Sequence, residues 1–253
     1  NGYNFEVPAT SEIAVADPIP LKEMGRFNHE AIAVDSAGYV YETEDRGDSC
    51  FYRFRPNQYG NLRSGGVLEA LVIQGASEDT RTGYRGYKGV PLSVNWVKLD
   101  DVDPVNDTLR LEAQGKGAAI FARGEGVWYG NGLIYFVCSG GGDAGEGQVF
   151  AYNPSNNTLT LIVESTSSSE LDNPDNITVA PFGDLFLCED GGGTDYIVGV
   201  NQRGELYQFA KNNINTSEYA GACFSPDGQT LFVNIQSPGI TFAIWGPWSR
   251  NRA

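Results

Sequence analysis

The chain repeats the pattern of the stretch HEAIAVDSAGYVYETEDRGDSCFYRFRPN, residues 29–57. This stretch contains a short alternating strand, a tight turn at Gly38, a second apolar strand, a loop, and a third strand rich in Phe and Tyr. The same order recurs three times. The further copies are GEGVWYGNGLIYFVCSGGG (124–142) with GQVFAYNPSNNTLTLIVES (147–165), NPDNITVAPFGDLFLCEDGGG (173–193) with YIVGVNQRGELYQFA (196–210), and EYAGACFSPDGQTLFVNIQSPGITFAIWG (218–246).

Repeats of about 40–50 residues, each with several strands, are typical of β-propeller blades. Helical periodicity is not sustained anywhere, and glycine-containing turns separate the apolar runs. The sequence therefore predicts an all-β chain with about four propeller blades, forming a single domain over residues 1–253. A long gap between the first two copies predicts an irregular surface insertion near residues 76–118.

The two ends of the chain bear on how the propeller closes. The segment NGYNFEV, residues 1–7, resembles the third strand of a blade, and the last copy also ends on a third strand. Residues 1–7 could close the last blade of a four-bladed ring, or the chain could begin in mid-blade. We favour the second interpretation. An open array leaves an unpaired strand edge and an exposed apolar face, so another segment or another chain is expected to complete it.

Equivalent positions of the first strand in each copy are Glu30, Glu125, Asp175 and Ala220. The innermost strands of propeller blades begin around one end of the central channel, so these positions are expected to converge. Carboxylates brought together lose hydration and repel one another unless cations neutralise them or they protonate. Oxygen ligands of this kind suit Ca²⁺, Mg²⁺ or Fe³⁺. The alternative is that each acid ends its own strand and faces solvent.

A second tier of acids follows the second strand, with Glu44 and Asp45 in one copy and Glu189 and Asp190 in another. These residues are either further metal ligands or ordinary acids at the start of a turn. Asn173 precedes the third acid by two residues, and its amide oxygen is a normal companion ligand in calcium sites. We therefore include Glu44, Glu189 and Asn173 among the candidate metal ligands.

Arg123 lies two residues before Glu125 in FARGEG, and Arg46 lies within TEDRGD. A guanidinium beside a carboxylate and metal cluster can bind a phosphoryl group through two hydrogen bonds. Each arginine could equally serve as a plain counter-charge. His29 is the only histidine and no nucleophile elbow is present, so Ser-His-Asp chemistry is poorly supported. His29 is predicted either to support neighbouring ligands or to pack, and the four tryptophans are predicted to pack within blades.

The composition excludes several classes of function. Seventeen Lys and Arg stand against 32 Asp and Glu, a net charge of −15, which argues against a nucleic-acid partner. No apolar run approaches the roughly 20 residues that a membrane span needs. The four cysteines show no C-x-x-C spacing and are predicted to be buried thiols.

Taken together, the motifs resemble the PhoX-type alkaline phosphatases. GRFNHEA, YETEDRGDSCFYRF, FARGEGVWYGNG, LDNPDNITV, LCEDGG and YAGACFSPDGQTLFVNIQSPGITFAIWGPW match in order over nearly the whole chain. The resemblance implies a six-bladed propeller exported to the periplasm or cell exterior, with an iron and calcium cluster (Fe³⁺ and Ca²⁺) that hydrolyses phosphomonoesters. It implies metal ligation by Glu30, Glu125, Asp175 and Glu189 and binding of the substrate phosphate by Arg123, with Arg46 as a further candidate.

The family's upstream half, which supplies an iron-binding Cys-Glu motif and further phosphate contacts, has no counterpart in this chain. One explanation is that the chain is part of an enzyme whose other part supplies the missing ligands. The other is a shortened relative that acts as a non-catalytic scaffold, calcium-binding or metal-free. Retention of the downstream acidic motifs favours the first. A sugar-binding propeller would need exposed aromatic residues over calcium and is less well supported.

Overall fold

The computed structural model of the chain describes residues 1–248 and consists mainly of short antiparallel strands. The strands are β1 (His29–Val34), β2 (Val40–Glu44), β3 (Tyr52–Pro56), β4 (Gly66–Ile73), β5 (Leu92–Lys98), β6 (Gly124–Gly130), β7 (Leu133–Cys138), β8 (Gln148–Asn153), β9 (Thr158–Glu164), β10 (Pro174–Val179), β11 (Leu185–Glu189), β12 (Tyr196–Val200), β13 (Leu206–Lys211), β14 (Tyr219–Phe224), β15 (Thr230–Ile235) and β16 (Ile240–Trp245). One α-helix, α1 (Leu109–Gly115), and three short 3₁₀ helices, Lys22–Met24, Leu62–Ser64 and Arg85–Tyr87, complete the described elements.

The strands form four blades of a β-propeller, which confirms the predicted fold class. Blade A is β1 to β4, blade B is β6 to β9, blade C is β10 to β13, and blade D is β14 to β16, each with its strands in sequential order. The innermost strands β1, β6, β10 and β14 contact one another in succession, so they surround a common axis.

Apolar side chains between successive blades form the core. Between blades A and B an aromatic cluster packs Phe51 against Phe136, with ring centroids 4.1 Å apart, and Phe136 against Phe150, 5.2 Å apart. Separate buried clusters fill the spaces between blades B and C and between blades C and D. Alternation along each strand directs one set of side chains to each neighbouring blade.

The segment near residues 76–118 is more regular than its sequence suggests. Its strand β5 pairs with β4 of blade A, and its residues Leu92 and Ser93 pair with Leu159 and Thr158 of β9. Blades A and B thereby share one nine-stranded sheet. Helix α1 packs on blade A through buried Leu109 and Ala113. The sequence did not predict β5 and α1, because each buries only part of its surface and is therefore rich in polar residues.

The amino-terminal segment does not close blade D. Gly2 bridges Phe27 and Phe5 bridges Pro20, so this segment lies along blade A. Strand β16 ends its sheet, and among residues 1–248 no strand pairs with its outer edge. Trp245 on β16 is 73% exposed, so the prediction that all four tryptophans pack within blades is wrong for this one. It faces the open side of the array.

Two further sequence predictions concern the membrane and the cysteines. Within the part of the chain that the structure describes, no helix has the length and hydropathy needed to cross a bilayer. Cys50, Cys138 and Cys188 are buried free thiols, as predicted, whereas Cys223 is only partly buried.

Candidate metal centre

Three carboxylates from three different blades meet at one end of the channel. Glu30 of β1, Glu125 of β6 and Asp175 of β10 each offer an oxygen atom, and these atoms all lie within 4.8 Å of one another. Glu125 is buried, Asp175 half-buried and Glu30 exposed. This set, called the carboxylate cluster below, is the convergence that the repeat predicted.

A β-bulge in each inner strand places its acid in the cluster. The pairing of β1 with β2 shifts register between His29 and Ile32, that of β6 with β7 between Gly124 and Val127, and that of β10 with β11 between Pro174 and Asn176. A bulge bends the strand and redirects a side chain, which is why bulges often lie at functional sites. The three acids fall within these three shifts.

Blade D repeats the bulge without the acid. The pairing of β14 with β15 shifts between Ala220 and Cys223, and Gly221 adopts a φ of 62° there. Glycine takes this left-handed conformation at little cost. The fourth inner strand therefore has the same bulge as the other three but supplies no carboxylate to the cluster.

Glycines flank Glu125 because the neighbouring backbones approach it from both sides. A Cβ at Gly124 would lie 3.2 Å from the carbonyl oxygen of Glu44, and one at Gly126 would lie 2.8 Å from that of Asp175. The second of these distances is shorter than normal van der Waals contact. The sequence RGEG thus lets β6 fit tightly between blade A and blade C, which brings the carboxylates together.

The cluster is electrostatically strained without counter-ions. Burial, followed by the charges of Asp45, Asp175 and Glu30, raises the pKa of Glu125 to about 9, although Arg123 opposes this. Burial and neighbouring carboxylates also raise the pKa of Glu30 and Asp175. A shift of this direction means that the protein disfavours full ionisation of the cluster. Cations bound between these carboxylates would remove that penalty.

Arg123 lies at the rim of the cluster. Its Nε and Nη2 donate to the two carboxylate oxygens of Asp45, at 2.8 and 3.2 Å, and Nη2 lies 3.0 Å from Oε1 of Glu125. The hydrogen bond with Asp45 raises the pKa of Arg123, which stays charged. Its side chain is 47% exposed. The Nη1 group makes no hydrogen bond within residues 1–248.

Further acids extend the negative potential towards blade D. Burial, and then the charges of Asp190 and Asp175, raise the pKa of Glu218 to about 7. Glu218 immediately precedes β14, and the repeat alignment singled out Ala220 instead. Sequence reasoning missed it. The signal that could have found it is an acid at the start of the fourth copy, offset from the aligned position.

Glu44 and Glu189 are not part of the carboxylate cluster. Glu44 is fully buried and accepts hydrogen bonds from the Tyr52 hydroxyl at 2.8 Å and the Cys50 N–H at 3.3 Å. Glu189 accepts from the backbone N–H groups of Asp172 and Tyr196, both at 2.9 Å. Burial raises the pKa of both residues to about 7. Each carboxylate connects the end of a second strand to neighbouring backbone.

Asn173 and Arg46 also have partners of their own. The Asn173 amide donates to the carbonyl oxygen of Ser139 at 2.8 Å, across the boundary between blades B and C. Arg46 Nε donates to Asp107 at 2.8 Å, on the segment before α1. Within residues 1–248, neither side chain makes a hydrogen bond or an ion pair with a carboxylate of the cluster. His29 packs on Phe27, with ring centroids 3.6 Å apart.

The donor set fits a hard cation. All three cluster atoms are carboxylate oxygens from separate, well-packed strands, and Ca²⁺ and Fe³⁺ both favour such ligands. Among the described residues this is the one group of three or more Asp, Glu, His or Cys side chains close enough to share an ion.

The chain is therefore a β-propeller protein with convergent carboxylates and an arginine at one end of its channel. Within that class, the family model for alkaline phosphatase PhoX matches residues 1–239. The chain therefore belongs to the PhoX family. No curated protein matches it.

The solved structure of a PhoX protein agrees with this fold. Pseudomonas fluorescens PhoX, in complex with vanadate, a transition state analogue, aligns with a TM-score of 0.67 at 19% identity. The alignment covers 88% of this chain and 51% of that one, so this chain spans about half the length of Pseudomonas PhoX. A gluconolactonase of Xanthomonas campestris aligns with a TM-score of 0.49 at 12% identity, covering 88% of this chain and 59% of that one. Regucalcin, a calcium-binding protein of Agrobacterium tumefaciens, gives 0.47 at 13% identity, covering 89% and 56%.

Proposed function

We propose that the chain is a PhoX-type, metal-dependent phosphomonoester hydrolase, or a part of one. The observation that carries the proposal is the meeting of Glu30, Glu125 and Asp175 within 4.8 Å, beside Arg123. Family membership supports the same function, because the match extends over residues 1–239.

The carboxylate cluster is proposed to hold Ca²⁺ and Fe³⁺. When bound, such cations would neutralise charge on a transferring phosphoryl group and polarise its oxygens. Glu30, Glu125 and Asp175 would each supply carboxylate oxygen. The raised pKa of Glu125, caused first by burial, supports this role, since a cation is the partner that would keep this buried group ionised.

Arg123 is proposed to bind the phosphoryl group of the substrate. Its guanidinium is half-exposed, permanently charged and oriented by Asp45 and Glu125. Its Nη1 N–H groups remain available for oxygen atoms of a tetrahedral anion. The capture of vanadate by Pseudomonas PhoX supports a site for such an anion in this family. Arg46 remains a predicted second contact, supported by its position next to Asp45.

We also propose that an upstream segment or another chain completes the propeller and the site. The unpaired outer edge of β16 within residues 1–248 supports this, as does the exposure of Trp245 (73%) and Phe232 (39%) on blade D. Pseudomonas PhoX is about twice as long as the matched region. Export to the periplasm or cell exterior is proposed on the family resemblance.

Elemental analysis and a turnover assay test the proposal. The purified chain, alone and together with the segment or chain proposed to complete the propeller, should contain calcium and iron and should hydrolyse p-nitrophenyl phosphate. Arg123→Gln should weaken competition by vanadate, whereas Arg203→Gln, which alters an exposed arginine paired with Glu205, should not. Absence of iron, of turnover and of vanadate binding in both preparations would instead support a non-catalytic scaffold.

A further inference from the structure

The loop between β2 and β3, residues 45–51, lies between helix α1 and Arg123. We infer that Arg110 of α1 is a positioning residue, which acts through this loop to hold Arg123 and Asp45 in place. The inference concerns the geometry of Arg123, and its consequence for phosphate binding rests on the proposed function.

Helix α1 contacts one side of the loop through an ion pair and hydrogen bonds. Arg110 is 14% exposed and donates from Nε to the Asp48 carboxylate at 2.7 Å. Its Nη1 donates to the Asp107 carbonyl oxygen at 2.9 Å and lies 3.9 Å from the buried Glu44. Gln114, one turn further along α1, donates to the Asp48 carbonyl oxygen at 2.6 Å. The Arg110–Asp48 contact is a charge-assisted hydrogen bond, which is stronger than a hydrogen bond between neutral groups.

The other side of the loop holds the backbone before Glu125. The Arg123 N–H donates to the Arg46 carbonyl oxygen at 2.8 Å. Ser49 and Phe121 exchange two backbone hydrogen bonds, each 2.9 Å long. Asp45, in the same loop, takes two hydrogen bonds from the Arg123 guanidinium. Backbone and side chain of Arg123 are therefore both fixed by one loop.

The backbone of Arg123 needs this support. Its φ is 54°, in the left-handed region, and the other described non-glycine residues with positive φ are Asn131, Asn157 and Asn173. Asparagine tolerates this region, whereas arginine adopts it only with backbone strain. Such a conformation persists where surrounding contacts impose it. Contacts with the loop supply that constraint.

This assignment gives the insertion a role at the site. Helix α1 lies outside the repeated blade pattern, yet its Arg110 contacts three acids in or beside the loop: Glu44, Asp48 and Asp107. Loss of Arg110 leaves the buried Glu44 without a nearby cation and frees the Asp48 end of the loop. The strained Arg123 backbone would then relax, and its guanidinium would leave the position set by Asp45.

Amide hydrogen exchange tests the positioning directly, without any assay of function. Arg110→Gln should accelerate exchange of the Arg123 and Phe121 amides by about tenfold or more relative to the β15 amides of blade D. Arg110→Lys should restore part of the protection, since it keeps a charge near Asp48. Unchanged exchange at Arg123 and Phe121 in Arg110→Gln, or equal acceleration in blade D, would overturn the inference.

Vanadate binding then measures the consequence. Arg110→Gln should weaken vanadate binding by about tenfold, and it should have no further effect in an Arg123→Gln background, because Arg110 acts through Arg123. Arg203→Gln serves as the matched surface control. Additive losses in the double variant would contradict the inferred route. If the wild-type chain, together with the segment or chain proposed to complete it, binds no vanadate, the proposed function fails, and the exchange result still decides the positioning.

Discussion

Nη2 of Arg123 lies 3.0 Å from Oε1 of Glu125, although the two residues are separated in sequence by a single glycine. Residues i and i+2 share a face of a regular strand, but Arg123 is itself in the left-handed region just before β6, and the register shift begins at Gly124. The contact places the Arg123 guanidinium directly against the Glu125 carboxylate, whose pKa is raised to about 9. Phosphate and metal affinities are therefore expected to be coupled at this point.

The stability of the metal-free protein should fall as pH rises. Glu125 has a folded-state pKa of about 9, above its unfolded value, so its protonation stabilises the fold at low pH and this contribution is lost towards pH 9. Calcium should reverse the trend, because cations bind the ionised cluster. Melting temperatures at about pH 6 and about pH 8.5, with Ca²⁺ or EDTA, measure both effects. A calcium-induced rise that is no larger at the higher pH would contradict this prediction.

Glu125→Gln should separate repulsion from cation binding. The amide removes one charge from the cluster and should raise the melting temperature in EDTA at alkaline pH. The same change should lower calcium affinity by about tenfold or more, since a buried carboxylate ligand is lost. Isothermal titration calorimetry with Ca²⁺ checks the affinity. Glu12→Gln, at an exposed position in the amino-terminal segment, is the control and should leave both measurements unchanged.

Gly126→Ala tests the close approach of blades B and C. Its new Cβ would lie 2.8 Å from both the Asp175 carbonyl oxygen and the Ile177 nitrogen, which are backbone atoms and cannot rotate away. Overpacking of this kind costs about 1–3 kcal/mol, and the displaced β10 would carry Asp175 away from the cluster. Denaturant unfolding measures the stability, and calcium titration measures the site. Gly86→Ala, where a Cβ meets no atom within 4 Å, should be nearly neutral.

Glu44→Gln should flatten the pH dependence of stability near neutrality. Burial raises the pKa of Glu44 to about 7, so its protonated form stabilises the fold and that contribution is lost as pH rises from about 4.5 to 7. Glutamine can still accept from Tyr52 and Cys50 through its amide oxygen. The free energy of unfolding at about pH 5 and about pH 8 should therefore differ less in the variant than in the wild type. An unaltered difference would show that Glu44 is ionised throughout.

The sequence predicted the blades and the central acids because both depend on a repeat. Four copies with the same turn position align Glu30, Glu125 and Asp175, and the common bulge maintains that equivalence in three dimensions. The family resemblance was similarly accessible, since its motifs are contiguous in the chain. Long-range geometry was not required for either inference.

The second tier could not be resolved from sequence. Glu44 and Asp45 are adjacent, and adjacent residues at a strand end point in opposite directions. The structure directs Glu44 into the blade and Asp45 to Arg123. A pattern of two neighbouring acids does not reveal which one reaches the site, because that depends on where the strand ends.

The insertion was predicted to be irregular because its elements depend on partners distant in sequence. Strand β5 exists through its pairing with β4 and β9, and α1 is held by Glu44 and Asp48. Short elements of this type have little intrinsic stability and acquire it from tertiary contacts.

The pairing of β5 with β9 joins blades A and B in a way that blades B and C are not joined. The pairs Leu92–Leu159 and Ser93–Thr158 join the sheets that carry Glu30 and Glu125 into one sheet. Blade C, which carries Asp175, shares no strand pairing with blade B and is held to it by side-chain packing. Two of the three cluster acids are therefore carried by one hydrogen-bonded sheet, and the third acid is carried by a separate sheet.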